Sequence, residues 1–224
     1  MKGKLIVIEG TDCSGKETQA KLLIEKIRIL GKRAERFSFP NYNSPSGKII
    51  GGPYLGKKYI CDGWFPEGAT NVDPKVASLY YAADRKYNID KITYLLDNGV
   101  HVILDRYIHS NMAHQGCKYD SKDERIEMYK WLEELEFNLL ELPKPDIKIF
   151  LHMPSDIVEV LKKERKEQLD ENERYKDYLN KAEISYLEIA ELYNFKTFEC
   201  ANGNEPREIA DINKDIYDYI LNEL

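Results

Sequence analysis

A glycine-rich loop near the amino terminus constrains the fold of this chain more than any other feature. Residues 10–16 read Gly-x-x-x-x-Gly-Lys, directly after the apolar run of residues 4–9 and before a helical pattern over residues 15–30. In this setting the backbone N–H groups of the loop surround a phosphate and the lysine reaches its outer oxygens. The pattern therefore predicts a phosphate-binding loop in a protein that binds a nucleotide.

The residue that follows the loop lysine departs from the usual pattern. The predicted nucleotide-binding residues are Gly10, Thr11, Asp12, Cys13, Ser14, Gly15, Lys16, Glu17 and Thr18. A serine or threonine normally follows the lysine, and its hydroxyl coordinates magnesium. The carboxylate of Glu17 either ligates the metal, since magnesium accepts oxygen ligands, or repels the triphosphate. We expect metal binding that is altered rather than lost.

Apolar runs alternate with helical patterns along the rest of the chain. The runs typical of buried strands are residues 5–9, 34–39, 100–105, 147–152 and 196–200. The helical stretches are residues 19–30, 74–98, 123–140, 156–166, 173–193 and 206–224. Such alternation predicts an α/β P-loop fold of three layers, a five-stranded parallel sheet with helices on both faces. We expect all of residues 1–224 to form a single domain.

Two segments interrupt this alternation. Residues 51–73 are rich in glycine and proline and include aromatic side chains, and a loop of that length usually covers or binds something. Residues 162–176 are dense in charge. They fit equally well a solvated helix–turn–helix and a mobile lid over the phosphates.

Apolar content, net charge and cysteine spacing indicate which kinds of binding partner this chain can have. No apolar run approaches the length of a membrane span, so we expect a cytoplasmic protein without a membrane partner. The formal net charge of −6 argues against a nucleic-acid partner, which requires clustered Lys and Arg. The cysteines are widely separated and lack metal-ligand spacing, which favours reduced thiols.

A carboxylate and an arginine stand together at the end of a predicted strand. Asp105 closes the apolar run of residues 100–105, and Arg106 follows it. In P-loop proteins an aspartate at such a place faces the metal of the nucleotide complex. The arginine grips a phosphate through two hydrogen bonds, which lysine cannot do. The pair therefore indicates phosphoryl transfer.

Taken together, the loop, Phe39-Pro40, residues 83–85, residues 105–107 and residues 142–146 resemble the thymidylate kinase family in order and spacing. The resemblance covers nearly the whole chain and is weakest across residues 51–73. It implies transfer of the γ-phosphoryl group of ATP to a deoxynucleoside monophosphate, usually dTMP, with Mg2+ and in a homodimer. Its partners would be small-molecule nucleotides.

The resemblance also assigns roles to individual side chains. The implied catalytic residues are Lys16, Asp12, Asp105, Arg106, Arg165 and Arg174, with Asp105 and Glu17 on the metal. The implied acceptor-binding residues are Asp12, Phe39, Pro40, Tyr81, Arg85, Arg106, Asn111, His114 and Gln115. Asp12 would meet the 3′-hydroxyl and Arg106 the acceptor phosphate. Tyr81 would stack on the base, Arg85 would hydrogen-bond to its edge, and Asn111 would contact the base from the other side.

Several positions differ from the family pattern. Cys13 stands where some members have a loop arginine, so Arg165 or Arg174 of the charged segment would supply that charge. Ser38 stands where many members have an arginine for the acceptor phosphate. Either acceptor binding is weaker or a lysine compensates; the candidates are Lys48, Lys57 and Lys58. His114 replaces a larger aromatic near the sugar, which leaves discrimination against ribonucleotides open.

Alternative functions stay open on the sequence alone. The chain fits a kinase for another nucleotide or for a deoxynucleoside, although an arginine beside Asp105 suits an acceptor that already carries a phosphate. It also fits a nucleotide-binding protein that has lost turnover through Glu17. The joint presence of Asp12, Lys16, Asp105 and Arg106 disfavours that reading, because a degenerate site does not need all of them.

Overall fold

The computed structural model describes residues 2–164 and 176–224. Its central sheet has five parallel strands in the order β2-β3-β1-β4-β5. The strands are β1 (Leu5–Gly10), β2 (Ala34–Ser38), β3 (His101–Asp105), β4 (Ile147–His152) and β5 (Lys196–Glu199). The predicted parallel sheet is confirmed, and each strand begins and ends within a residue of its predicted bounds.

Helices connect the strands. They are α1 (Lys16–Ile29), α2 (Pro45–Ile49), α3 (Pro74–Asp97), α4 (Ile108–Gly116), α5 (Lys122–Glu133), α6 (Ser155–Glu164), α7 (Lys176–Leu192) and α8 (Ile209–Leu221). π-Helical turns follow α2 at Ile50–Tyr54 and α5 at Glu134–Leu139, and a short 3-10 turn covers Ala69–Asn71. In the described parts of the chain, no helix is both long and apolar enough to cross a membrane.

The core lies on both faces of the sheet because neighbouring strand residues point in opposite directions. Leu5 and Val7 of β1 pack with α3, α4, α5 and α7 on one face. Ile6 and Ile8 pack with α1, α6 and α8 on the other. Both faces of β1 are therefore apolar and covered, as expected for a parallel sheet, and its polar chemistry is confined to the strand ends.

Local structure differs from the sequence-based expectation in several places, among them the short helix α2 and the π-helical turn after it, which have no predicted counterpart. Helix α4 has no predicted counterpart because nearly all of its residues are buried, so it lacks the polar face that marks an amphipathic helix. The helix predicted over residues 123–140 ends as the π-helical turn Glu134–Leu139. The helix predicted from residue 206 begins at Ile209, because Ala201–Asn202 and Glu205–Pro206 form a two-stranded hairpin, β6 and β7.

The glycine-rich segment of residues 51–73 packs as a small core of its own. Ile50, Tyr54, Leu55, Ala69 and Val72 cluster with Ala77 of α3. The Tyr54 hydroxyl donates to the Ala69 carbonyl oxygen over 2.9 Å. Lys118 Nζ donates to the carbonyl oxygens of Ala69 and Val72, at 3.2 and 2.7 Å. The segment is therefore fastened to the body of the protein.

Candidate active site

The phosphate-binding loop connects β1 to α1. Cys13 and Gly15 adopt left-handed backbone conformations, with φ of 56° and 80°. At Gly10 a Cβ atom would lie 2.5 Å from the Leu151 carbonyl oxygen, so the loop requires glycine there. Lys16 Nζ donates to the carbonyl oxygens of Gly10 and Thr11, at 3.0 and 2.7 Å. The loop thus closes around a lysine whose pKa is lowered to about 8 by burial.

A crevice runs along the loop and the carboxyl ends of β2 and β3. It is lined by Asp12, Cys13, Gly15, Lys16, Glu17, Thr18, Ser38, Phe39, Pro40, Tyr42, Asp105 and Arg106. The other predicted loop residues, Gly10, Thr11 and Ser14, are buried and shape the backbone. Thr11 Oγ1, for example, donates to the Met153 carbonyl oxygen over 2.8 Å and so ties the loop to the end of β4.

Arg106 occupies the turn between β3 and α4 with a left-handed backbone, φ 66°. Its Nη2 donates to Asp12 Oδ1 over 2.7 Å. Its Nη1 donates to the Tyr186 hydroxyl over 2.9 Å and to Ser110 Oγ over 3.3 Å. The structure therefore brings together two of the predicted catalytic side chains, and α7 and α4 hold the guanidinium in place.

Glu9 is a buried site residue that the sequence reasoning missed. Its carboxylate accepts hydrogen bonds from the backbone N–H groups of Tyr107 and Ser110, at 2.8 and 3.1 Å, and from the Ser110 hydroxyl. Burial raises the pKa of this carboxyl group. Glu9 joins the end of β1 to the start of α4 and so fixes the turn that carries Arg106. The sequence did contain a signal for this role, because Glu9 is an acidic residue at the end of an otherwise apolar strand.

A second cavity opens beside the crevice. Its lining residues are Asp12, Phe39, Pro40, Tyr42, Leu55, Lys57, Tyr81, Arg85, Arg106, Tyr107, Ser110, Asn111 and His114. The predicted acceptor-binding residues line this cavity, apart from Gln115, whose exposed fraction is 0%. Residues 51–73 contribute Leu55 and Lys57 to the wall, so this segment covers a cavity, as expected for a long insertion. Among the three lysines considered as compensation for Ser38, Lys57 is the one that lines the cavity.

Arg85 and Asn111 are held at the cavity by a carboxylate that is distant in sequence. Glu136 is fully buried and accepts from both Nε and Nη2 of Arg85, the latter over 2.6 Å. Glu136 Oε1 also accepts from Asn111 Nδ2 over 3.2 Å. Because a guanidinium held by two hydrogen bonds has a fixed plane, Glu136 sets the direction of Arg85.

An aromatic pair lies at the side of the cavity near α7. His114 stacks on Tyr178, with ring centroids 5.9 Å apart and an interplanar angle of 15°. The Tyr178 hydroxyl donates to the His114 carbonyl oxygen over 3.1 Å. Tyr178 of α7 therefore covers one face of the His114 ring, and His114 is the member of the pair that lines the cavity.

The predicted metal ligands Glu17 and Asp105 face each other across an arginine. Arg36 Nη2 lies 3.4 Å from Glu17 Oε1, and Arg36 Nη1 lies 3.5 Å from Asp105 Oδ2. Magnesium bound with a nucleotide takes one or two carboxylates and completes its shell with phosphate oxygens and water. These carboxylates therefore fit such an ion. Over residues 2–164 and 176–224, no group of three or more His, Cys, Asp or Glu side chains is arranged to hold a metal on its own.

The remaining predictions concern the charged segment and the cysteines. Arg165 and Arg174, and with them most of the predicted lid, lie outside the described residues. The four cysteines, Cys13, Cys61, Cys117 and Cys200, are free thiols, in line with the reduced state expected from their spacing.

A parallel sheet, a phosphate-binding loop closed around a lysine and a neighbouring cavity lined by Arg85 and Arg106 are the features of a P-loop phosphotransferase. A family model for thymidylate kinase matches residues 8–211. The chain belongs to the thymidylate kinase family, a family of phosphotransferases, which confirms the resemblance seen in the sequence.

Individual relatives agree with the family model. Thymidylate kinase of Homo sapiens is 32% identical over 152 residues, which cover 68% of this chain and 62% of the human protein. The Schizosaccharomyces pombe enzyme is 29% identical over 99% of this chain and 93% of its own length. A probable thymidylate kinase of Pyrococcus horikoshii is 31% identical over 100% of this chain and 98% of its own length. The solved structure of Candida albicans thymidylate kinase superposes with a TM-score of 0.75 at 26% identity, covering 99% of this chain and 92% of that one.

Proposed function

We propose that this chain transfers the γ-phosphoryl group of ATP to dTMP, giving dTDP and ADP. One geometric observation supports the proposal: the loop crevice and the second cavity adjoin and share part of their lining. The residues that line both are Asp12, Phe39, Pro40, Tyr42 and Arg106. A triphosphate held by the loop and a monophosphate held in the cavity would meet beside Arg106, as in-line transfer requires.

For phosphoryl transfer, the protein chiefly has to align the two substrates and place positive charge around the transferred phosphoryl group. Lys16 supplies charge from within the loop, and Arg106 supplies it where the acceptor phosphate enters. Asp12 orients Arg106 through their hydrogen bond and lies at the place proposed for the acceptor 3′-hydroxyl. Arg165 or Arg174 would add a cation from the lid side, as the family resemblance implies.

Asp105 and Glu17 are the side chains that would hold Mg2+ with the nucleotide. Asp105 ends β3 at the floor of the crevice, and Glu17 lies in the first turn of α1. When bound, magnesium neutralises charge on the phosphate oxygens. The protein would contribute carboxylate oxygens as metal ligands, from the end of β3 and the first turn of α1, and backbone N–H groups in the loop as hydrogen-bond donors to the phosphates.

The proposed acceptor site reads a pyrimidine base from several sides. Tyr81 offers a ring for stacking and Phe39 and Pro40 form part of the wall. Arg85 and Asn111, both bound to Glu136, direct polar groups toward the base edge. A thymine or uracil carbonyl accepts from the Arg85 guanidinium, whereas the amino group of cytosine does not.

A substrate panel tests the proposal. ADP release from magnesium-ATP is measured with each deoxy- and ribonucleoside monophosphate and with thymidine. Turnover with dTMP at least tenfold above other monophosphates supports the assignment. Preference for another monophosphate moves the question to the residues around the base, and activity on thymidine alone favours a nucleoside kinase. ATP binding without any turnover favours the non-catalytic alternative.

The homodimer implied by the family resemblance also has a candidate surface. Exposed apolar side chains form a stripe along α3 with a spacing of three or four residues; they are Val76, Leu79, Ala83 and Tyr87. A shallow groove beside this stripe is lined by Leu79, Ala82, Ala83, Lys86, Tyr87, Leu135 and Leu140. We propose that two copies pack through this face. The cytoplasmic location stays a prediction of the sequence.

A further inference from the structure

Arg36 lies between two carboxylates of the crevice and has no role in the function described above. It projects from the middle of β2, with one guanidinium nitrogen 3.4 Å from Glu17 and the other 3.5 Å from Asp105. Its side chain is 25% exposed, against 59% for Glu17 and 11% for Asp105. Arg36 is thus a partly desolvated cation that contacts both candidate metal ligands.

The strand register explains how Arg36 reaches the crevice. β2 and β3 are paired so that Arg36 lies opposite Ile103, and Ser38 lies opposite Asp105. Residues two apart in a strand share a face, so Arg36 and Ser38 point to the same side of the sheet. Because Ser38 is small, it leaves space at the strand end, and the longer Arg36 side chain extends to Asp105.

Glu17 is the residue that most needs such a partner. It follows Lys16 directly, in the first turn of the helix that begins at the loop. A carboxylate there repels the triphosphate unless it is held away from it or neutralised. Lys21 is the nearer partner of Glu17, at 2.8 Å, and its hydrogen bond is the main cause that lowers the pKa of this carboxyl group. Arg36 differs from Lys21 because it also contacts Asp105 and is itself only 25% exposed.

We propose that Arg36 is a positioning residue that holds the Glu17 carboxylate beside Asp105 and offsets its repulsion of the triphosphate. Arg36 thereby allows this loop to bind ATP with a carboxylate directly after Lys16. The inference rests on the proposed use of the crevice as the ATP site. It predicts that the effect of Arg36 on nucleotide binding depends on Glu17.

A double-mutant cycle on ATP binding tests this dependence. The full chain, Arg36→Gln, Glu17→Thr and the double variant are titrated with ATP by calorimetry, with magnesium and in EDTA. The EDTA series separates the effect on Glu17 from any change in metal binding. Arg36→Gln is expected to weaken ATP binding about fivefold to tenfold in the presence of Glu17, from repulsion at a distance of several Å. In the Glu17→Thr background the same change is expected to cost less than twofold.

Controls separate positioning from folding. Arg28→Gln removes an arginine outside the crevice that contacts Glu35 at 3.5 Å and donates to the Ala34 carbonyl oxygen at the start of β2, at 2.7 and 3.1 Å. It therefore tests whether loss of an arginine that contacts β2 affects ATP binding by itself, and it should leave ATP binding unchanged. In turnover assays, Arg36→Gln should raise the KM for ATP and leave the KM for dTMP within twofold. Thermal unfolding of each variant shows whether the fold is retained.

Other outcomes overturn the inference. Equal loss of ATP affinity in both backgrounds would mean that Arg36 acts on the phosphates by itself. No loss in either background would make it a surface ion pair. If the unmodified chain binds no ATP, the proposed function fails instead, which distinguishes the two.

Discussion

Arg106 donates a hydrogen bond from Nη2 to Asp12 Oδ1 over 2.7 Å, which joins the turn after β3 to the phosphate-binding loop. The two residues are 94 positions apart in sequence. Each belongs to a separate motif, and each lines both the crevice and the neighbouring cavity. Their contact therefore marks the boundary at which a donor and an acceptor phosphate would meet.

Replacing Arg106 tests the importance of this boundary. Arg106→Lys keeps a positive charge but loses the planar fork that contacts both Asp12 and Tyr186. We expect kcat with dTMP to fall about 10³-fold, the scale of loss for an arginine that stabilises a transferring phosphoryl group. Steady-state kinetics, with ATP affinity measured separately, gives the result.

Tyr186→Phe is the matched control for Arg106→Lys. It removes the hydroxyl that accepts from Arg106 and keeps the ring that stacks on Phe150, with centroids 5.8 Å apart. A loss below tenfold is expected, because the contact with Asp12 persists. If Arg106→Lys retains more than a tenth of the activity, the proposed role of Arg106 is wrong.

Glu136 offers a separate test, of stability and of base recognition. Glu136→Gln leaves the Arg85 guanidinium buried without a counter-charge, which should cost about 3–5 kcal/mol of unfolding free energy. The two side chains are only 2% and 0% exposed, so bulk solvent screens the uncompensated charge weakly. Urea unfolding measures this loss.

The double variant Arg85→Met, Glu136→Gln separates stability from recognition. It removes both charges and retains an oxygen that accepts from Asn111, so most of the lost stability should return. Discrimination between dTMP and dCMP should not return, because Arg85 is gone. Recovery of that discrimination together with stability would remove Arg85 from base recognition.

Much of the fold was predictable because it depends on local patterns. Buried strands contain runs of consecutive apolar residues, such as residues 5–8 in β1 and 149–151 in β4, and the loop motif located the first strand and its helix. Helix α4 was not predictable by periodicity, since burial on nearly all sides removes the contrast between faces. The packing of residues 51–73 depends on Lys118, which contacts carbonyl oxygens nearly fifty positions away.

The residues of the candidate site likewise fall into two groups, those that a local motif predicts and those that only tertiary contacts reveal. Lys16, Asp105 and Arg106 stand in motifs whose spacing carries the chemistry. Glu136 and Arg36 stand in no motif, because their roles come from partners 51 and 19 positions away in the chain. Tertiary folding alone brings such pairs together, and a single sequence contains no pattern for them.

The lowered pKa of Lys16 predicts a pH-dependent affinity for ATP. Burial lowers this pKa to about 8, so the ammonium loses its proton near that pH in the chain without nucleotide. Because the triphosphate favours the charged form, Lys16 takes up a proton when ATP binds at a pH near or above 8. We expect ATP affinity to fall by up to about tenfold per pH unit above 8.

Stability of the chain without nucleotide should respond in the opposite direction. A lysine with a lowered pKa binds fewer protons when folded than when unfolded, so its cost to stability diminishes as pH rises above 8. Calorimetry in buffers of different ionisation enthalpy detects the proton uptake. Lys16→Met should abolish both effects, and a pH-independent ATP affinity in the unmodified chain would contradict the assignment.

Disrupting the exposed apolar face of α3 should abolish the proposed dimer. Leu79 and Tyr87 on α3 are 50% and 63% exposed beside an apolar groove, which is where a self-complementary contact would bury area. Leu79→Glu places like charges opposite each other across a two-fold interface and should convert a dimer to a monomer at micromolar concentration. Light scattering after size-exclusion chromatography reports the mass.

Ile29→Glu is the matched control, because this 82% exposed site on α1 lies on the other face of the sheet. It should leave the mass unchanged. A monomeric unmodified chain, or a dimer that survives Leu79→Glu, would show that this face does not join two copies.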